Sequence, residues 1–177
     1  MILSLFRKKR SNSAIIKRQY EELTDAARQL TFYQDMNVPD TVLGRFEMLS
    51  IFMMVYLRAT KDKGEAVEGL AQDIIDAFFE DIDHSIRELG IGDAGVPKRM
   101  KKLAGMFYGR ADSYGKAIEK DDVSELNTAL IRNMFPENIE EAPDMSELGR
   151  YLIATDKALV GYSLDEMAQG NLKIVRA

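Results

Sequence analysis

Apolar residues recur every three or four positions through most of this chain, and no stretch alternates apolar and polar residues as a half-buried strand does. Each such stripe covers one side of an α-helix and needs a partner surface to bury it. The spacing therefore predicts an all-α protein, a single compact multi-helix domain with a central antiparallel helical hairpin. The clearest stripe consists of Leu70, Ile74, Phe78, Ile82, Ile86 and Leu89.

Turn residues and periodicity set the expected bounds of the first four helices. From Met48 onward, apolar residues occupy most of the circumference of the second helix, which predicts that this helix lies at the centre of the core. Asn12 or Ser13 is the expected N-cap of the first helix. The four helices are expected from there to about Asp35, from about Thr41 to Thr60, from Gly64 to Leu89, and from Val96 to Ile118.

Three pairs of residues with the spacing of a capping box predict further helices later in the chain. A hydroxyl or carboxylate at the first position of such a pair accepts a hydrogen bond from the backbone three residues on. The pairs are Asp122 with Glu125, Asp144 with Glu147, and Ser163 with Glu166.

The loop of the hairpin has the G-x-G-x-x-G spacing of a dinucleotide-binding loop, at Gly90, Gly92 and Gly95. That motif lies between a strand and a helix, whereas a helical stripe leads into this loop. Gly90 suits the left-handed cap at the end of a helix, and Pro97 suits the first turn of the next. The loop therefore predicts a connection between two helices rather than a nucleotide site.

The two helices of the hairpin carry opposite charges beside their turn. Ion pairing across the hairpin is the simplest explanation of two such blocks, because charge runs usually belong to solvated helix faces. Acidic residues precede the turn at Glu80, Asp81, Asp83 and Glu88, and basic residues follow it at Lys98, Arg99, Lys101 and Lys102.

Two segments of the chain resemble a known family. Phe78 to Tyr114, FFEDIDHSIRELGIGDAGVPKRMKKLAGMFYGRADSY, is similar to the signature of the ubiquinol–cytochrome c chaperone family. Thr41 to Arg58, TVLGRFEMLSIFMMVYLR, is similar to its upstream pattern. Members of this family are helical and assist assembly of the respiratory cytochrome bc1 complex. The resemblance implies a non-catalytic chaperone without a cofactor, which binds newly made cytochrome b or an early bc1 assembly intermediate.

The resemblance also implies a location and a client surface. We expect the protein at the cytoplasmic face of a bacterial inner membrane, or on the matrix side in a mitochondrion. The resemblance is densest in the hairpin, and the methionine-rich second helix is the alternative surface, since methionine adapts to irregular apolar shapes. The residues expected to face the client are Asp81, Asp83, Arg87, Glu88, Asp93, Lys98, Arg99 and Lys102 for charge, with Phe107, Tyr108 and Tyr114 as apolar bulk.

A metal-dependent enzyme is a second hypothesis, based on the carboxylates around His84. Glu80, Asp81 and Asp83 share its helix and its neighbourhood in sequence. A di-iron site in a helical bundle takes a Glu-x-x-His motif from each of two helices, and His84 is the single histidine. The absence of cysteine excludes thiolate metal sites and CxxCH haem attachment. The sequence thus favours no metal and no catalytic residue, with His84 solvated or ion-paired.

A nucleic-acid or ribosome-associated protein is a third hypothesis, based on the basic patch from Lys98 to Lys102. With Arg110 and the interleaved Tyr108, these cations have the residue types that follow phosphates. The net charge of −5 argues against a nucleic-acid footprint, which requires a basic face. DNA is not an expected partner. Proximity to a ribosome stays open, because mitochondrial members of the resembled family associate with ribosomes that make cytochrome b.

Residues 1–11 form a tip in which apolar residues precede a basic cluster, followed by the helical domain at 12–177. A secretory signal has the reverse order. The tip is expected to be either a disordered end or an interfacial anchor on an anionic membrane surface, and its composition also fits a very short organelle transit peptide. The interfacial residues are Ile2, Leu3, Leu5, Phe6, Arg7, Lys8, Lys9 and Arg10.

Overall fold

The computed structural model describes residues 2–88, 90, 92–169, 174 and 177, with side chains from residue 13 onward except those of 164 and 168. This part of the chain folds into eight α-helices and one 3-10 turn and contains no strand, so the all-α prediction is confirmed. The elements are α1 (Ile2–Ala27), α2 (Leu30–Gln34), α3 (Val42–Thr60), α4 (Glu65–Glu88), α5 (Val96–Glu119), α6 (Val123–Met134), the 3-10 turn (Ile139–Glu141), α7 (Ser146–Val160) and α8 (Leu164–Gln169).

Helix α3 is the centre of the core, as its apolar circumference predicts. It packs against α1, α4, α5, α6 and α7, and consecutive side chains from Ile51 to Tyr56 are buried on all sides. A helix buried all round has its neighbours arranged in a ring. The helices that form the groove described below are therefore positioned by their packing against α3.

The start of α3 is held by a tight turn before it. The hydroxyl of Thr41 accepts a hydrogen bond from the backbone N–H of Gly44 at 3.1 Å, as an N-cap does. A Cβ on Gly44 would lie 2.0 Å from the carbonyl oxygen of Pro39. Only glycine fits this position, and the first turn of α3 is thereby fixed against the preceding loop.

The first predicted helix is in fact two helices, and its predicted start is wrong. Helix α1 begins at Ile2 rather than after Asn12 or Ser13, and the chain leaves the helix between Ala27 and Leu30. The break turns the chain so that Phe32 becomes fully buried, with its ring 5.9 Å from that of Phe52. Burial of this aromatic side chain outweighs the helix propensity of the intervening residues.

Helices α4 and α5 form a hairpin around the glycine-containing loop. Gly90 has φ +78°, the left-handed conformation expected after a helix, and Pro97 lies in the first turn of α5. The rings of Phe78 and Phe107, which lie at similar distances from the turn, are 5.6 Å apart. The two helices therefore run antiparallel and are in contact at the level of these rings.

The three predicted capping pairs behave differently. Ser163 and Glu166 bond each other's backbone N–H groups, which is the complete capping box. Asp122 accepts from the N–H of Glu125 at 2.8 Å without the reciprocal bond, because Glu125 binds Lys120 instead. Asp144 accepts from Ser146 rather than from Glu147, since α7 begins at Ser146.

Candidate protein-binding groove

An apolar groove of about 940 Å³ opens where α1, α3, α4 and α5 meet. Helices α1 and α5 each pack against both α3 and α4 but not extensively against each other, so they form two walls above a floor of α3 and α4. Ligand-binding pockets have volumes of roughly 300–1,000 Å³, so the volume of this groove lies at the upper end of that range. Its apolar lining consists of Ala27, Val42, Leu43, Phe46, Leu49, Phe78, Ile82, Ile86, Leu103 and Met106.

The mouth of the groove exposes apolar surface that the described chain does not cover. Val42, in the first turn of α3, is 84% exposed, and Leu43, Phe46 and Leu49 are only partly buried. Single exposed apolar residues are common on monomers, but a contiguous apolar concavity with a polar rim marks a binding site. The groove is therefore the candidate site.

A hydrogen bond ties one wall to the floor. The hydroxyl of Tyr20 on α1 donates to the carboxylate of Asp81 on α4 at 2.7 Å. Partial burial and then this bond raise the pKa of Tyr20 well above its usual value, so the phenol stays protonated and remains a donor. The bond fixes the separation of α1 and α4 at the side of the groove.

The rim of the groove is basic. Four cations line it, namely Arg28 after α1, Arg45 on α3, and Arg99 and Lys102 on α5, against the single carboxylate of Asp81. Arg45 binds Asp40 at 2.7 Å and lies 5.9 Å from the centre of the Tyr33 ring. Within the described residues, none of the other three cations makes an ion pair.

The structure divides the basic block of the hairpin into two faces. Arg99 and Lys102, three residues apart on α5, line the groove, whereas Lys98 and Lys101 are exposed and do not. The predicted ion pairing across the hairpin is wrong for all four cations in the described part of the chain. A helix places every third or fourth residue on one face, so a run of neighbouring cations cannot all face the same surface.

The acidic block pairs locally. Arg87 binds Asp83 on its own helix at 2.5 Å and also binds Asp93 in the loop. The Arg87 hydrogen bond lowers the pKa of Asp83 below its usual range. Glu88 is exposed near the end of α4. Of the charged client residues predicted from the sequence, only Asp81 joins Arg99 and Lys102 in the groove.

Two predicted client-binding aromatics and one predicted phosphate-binding cation are buried. Phe107 is 0% exposed and Tyr114 is 2% exposed, so these side chains belong to the core and cannot present apolar bulk to a partner. Arg110 is 8% exposed and lies against Glu47, which removes it from any phosphate-following surface. Tyr108 is 58% exposed, but its ring packs against Phe107 and it does not line the groove.

The alternative surface on the methionine-rich helix is also corrected. Met48, Met53 and Met54 are buried in the core. The exposed part of α3 is its first two turns, which lie before the methionine-rich segment. The sequence signal for this surface is an apolar residue, Val42, directly after the helix N-cap, and the structure shows that its side chain is exposed.

The carboxylates around His84 do not form a metal-binding group. Within the described residues, no three His, Cys, Asp or Glu side chains lie close enough to hold a metal ion. His84 is exposed on α4, while Asp81 and Asp83 are engaged by Tyr20 and Arg87. The carboxylates of Asp81 and Asp83 therefore make a hydrogen bond and an ion pair at the helix surface.

The predicted interfacial anchor lies outside the described side chains. The backbone of Ile2–Arg10 forms the beginning of α1, and the membrane role of this tip stays a prediction. Among the helices described, none combines the length and the apolar character needed to cross a bilayer.

Helices that enclose an open apolar groove with a basic rim define a binding protein. Residues 34–175 match the family described as ubiquinol-cytochrome C chaperone, and this chain belongs to that family. The resemblance seen in the hairpin and the second helix is confirmed, and the match extends to residues that those two segments do not include.

Solved and curated relatives agree with the family. The crystal structure of the Cbp3 homolog from Brucella abortus is 48% identical, with a TM-score of 0.89 over 99% of this chain and 97% of that chain. The ubiquinol-cytochrome-c reductase complex assembly factor 1 of Xenopus laevis is 23% identical over 68% of this chain and 60% of its own length. The Drosophila melanogaster protein of that name is 24% identical over 75% of this chain and 53% of its own. This chain thus spans about half the length of the curated relatives it matches.

Proposed function

We propose that this chain is a non-catalytic assembly chaperone of the respiratory cytochrome bc1 complex. Its client is newly made cytochrome b or an early assembly intermediate, which it holds until other subunits cover the apolar surface. Membership of the ubiquinol-cytochrome C chaperone family supports this proposal, as do relatives named as assembly factors of ubiquinol-cytochrome c reductase. We place this activity at the cytoplasmic face of a bacterial inner membrane or on the corresponding matrix side.

The observation that carries the proposal is the open apolar groove between α1 and α5. An unassembled subunit of a membrane complex exposes apolar segments that would otherwise aggregate. A groove with an apolar floor buries such a segment with a gain of roughly 25 cal/mol for each Å² removed from water. Binding of this kind needs no catalytic group, and release follows when the partner subunits offer a larger apolar surface.

A single exposed position tests the proposal. Val42→Glu introduces a charge at the mouth of the groove, and Val42 is so exposed that the fold loses little. Ile139→Glu is the matched control, because Ile139 is 50% exposed in the 3-10 turn and does not line the groove. Cytochrome b should co-purify with the native chain and with the Ile139 variant, but much less with the Val42 variant.

The outcomes of this experiment separate the function from the site. Absence of cytochrome b and of every other bc1 subunit from material purified with the native chain would contradict the assembly function. Equal capture by both variants would remove the groove as the contact surface while leaving the function intact. Thermal melts of all three proteins establish that any loss of capture is not loss of folding.

A further inference from the structure

We infer that the groove selects an apolar segment flanked by carboxylates and rejects one flanked by lysine or arginine. This inference rests on the proposed function, because it specifies the client segment that the groove accepts. It is carried by the charge of the rim, the availability of the rim cations and their placement on two walls.

The rim reverses the charge of the rest of the molecule. The chain has 29 acidic against 24 basic side chains, yet the groove is lined by four cations and one carboxylate. Basic residues gathered around an apolar floor in an acidic chain create a local positive potential, which attracts anionic partners and repels cationic ones. The positive charge of the rim therefore favours a segment whose flanking residues are negatively charged.

Three of the four cations are available to a partner. Arg28, Arg99 and Lys102 make no ion pair with other described residues, whereas the one carboxylate in the groove, that of Asp81, already accepts a hydrogen bond from Tyr20. An incoming lysine would meet one carboxylate, that of Asp81, among four cations, whereas an incoming carboxylate would meet three donors that make no ion pair within the described residues. Unpaired charges across an interface disfavour the wrong partner.

The cations lie on opposite walls of the groove. Arg28 follows the end of α1, which forms one wall, and Arg99 and Lys102 lie on α5, which forms the other. A single lipid phosphate needs donors that converge on one point. Cations divided between two walls on either side of an apolar floor instead suit a polypeptide segment whose acidic residues flank an apolar stretch.

The hairpin supplies an internal control for this charge effect. Lys98 and Lys101 have the same charge and the same three-residue spacing as Arg99 and Lys102, but they lie outside the groove. The double variants Arg99→Glu/Lys102→Glu and Lys98→Glu/Lys101→Glu therefore change the net charge equally. They differ only in whether the reversal occurs at the rim.

The test measures binding of two synthetic peptides to the full chain by fluorescence anisotropy in a neutral detergent. Both peptides have the same leucine- and valine-rich centre, one with aspartates at both ends and the other with lysines. The native chain should bind the aspartate peptide at least about tenfold more tightly, which corresponds to a single interface ion pair. The preference should be lost or reversed in Arg99→Glu/Lys102→Glu and retained in Lys98→Glu/Lys101→Glu.

Several results would overturn the inference. These are equal affinity for the two peptides, tighter binding of the lysine peptide, binding of neither peptide, or an equal effect of the two double variants. Vesicles of phosphatidylglycerol serve as the lipid probe. If Arg99→Glu/Lys102→Glu loses vesicle binding that Lys98→Glu/Lys101→Glu retains, and the native chain prefers neither peptide, the rim binds lipid instead. Capture of cytochrome b by the native chain is measured separately. If the native chain captures cytochrome b but binds the two peptides equally, the charge selection alone is refuted.

Discussion

The carboxylate of Glu47 on α3 lies 2.5 Å from the guanidinium of Arg110 on α5, and Glu47 is completely buried. Phe46 precedes Glu47 on α3, Met106 lies one turn before Arg110 on α5, and both line the groove. The pair therefore joins the floor of the groove to one of its walls. Both oxygens of Glu47 and two of the guanidinium nitrogens lack an aligned hydrogen bond. The pair is therefore close but poorly compensated for its desolvation.

Burial of Glu47 makes the stability of the fold depend on pH. Desolvation raises the pKa of Glu47 from 4.5 to about 7, although Arg110 opposes the shift. The native state then binds the proton more tightly than the unfolded state does, so stability falls as pH rises from about 4.5 to about 7. The loss attributable to this group is at most about 3 kcal/mol. Urea unfolding from pH 5 to pH 8 should show this decline in the native chain and a flatter profile in Glu47→Gln; parallel profiles would contradict it.

Removal of one partner should cost more than removal of both. Arg110→Met leaves the carboxylate of Glu47 buried without its cation, which is expected to lower the free energy of unfolding by about 3–5 kcal/mol at pH 8. The double variant Glu47→Leu/Arg110→Met replaces the pair by apolar groups and should recover most of that loss. Chemical denaturation of the two variants and the native chain measures the difference. A double variant no more stable than Arg110→Met would show that the pair contributes through shape rather than charge.

The turn before α3 should tolerate no side chain at Gly44. A Cβ there meets the carbonyl of Pro39, so Gly44→Ala should displace the first turn of α3 and lower the free energy of unfolding by roughly 1–3 kcal/mol. Gly69→Ala on α4 is the control, because nothing lies within 4 Å of its added Cβ and alanine favours the helix by up to about 1 kcal/mol. Thermal melts should therefore move in opposite directions. A shared increase in melting temperature would mean that the turn relaxes without cost.

The N-terminal tip should bind anionic membranes in a salt-sensitive manner. We expect the apolar residues from Ile2 to Phe6 to enter the headgroup layer and the cations from Arg7 to Arg10 to lie near anionic lipid, where salt would screen their attraction. Flotation with phosphatidylglycerol vesicles should weaken at high ionic strength and be lost on deletion of residues 1–10. Unchanged flotation of the truncated chain would exclude the anchor.

The sequence predicts the ends of several helices well, because each of these ends is set by residues close to it in the chain. The start of α3 beside Thr41, the left-handed Gly90 and Pro97 in the first turn of α5 each depend on a few neighbouring residues, and the structure has all three where the sequence indicates them. The break between α1 and α2 escapes such reasoning, because it depends on Phe32 finding a place beside Phe52.

The candidate site is harder to predict from the sequence, because the groove forms where α1 and α5 do not pack extensively against each other. Phe107 and Phe46 both belong to apolar stripes, yet the first is fully buried and the second lines the groove. Arg99 and Lys98 are adjacent and similar in charge, and only the packing of α5 against α3 and α4 decides which one lies at the rim. Spacing gives the faces of a helix, whereas tertiary packing decides which face stays open.

Site-specific photocrosslinking in cells that assemble the bc1 complex tests directly whether the groove holds cytochrome b. A photoreactive amino acid replaces Val42 at the mouth of the groove or, as the control, Ile139 in the 3-10 turn, and cytochrome b is detected in the crosslinked product. We expect a cytochrome b adduct from position 42 during synthesis of the complex and none from position 139. Adducts from position 139 alone, or equally from both positions, would contradict the groove as the surface that holds the client.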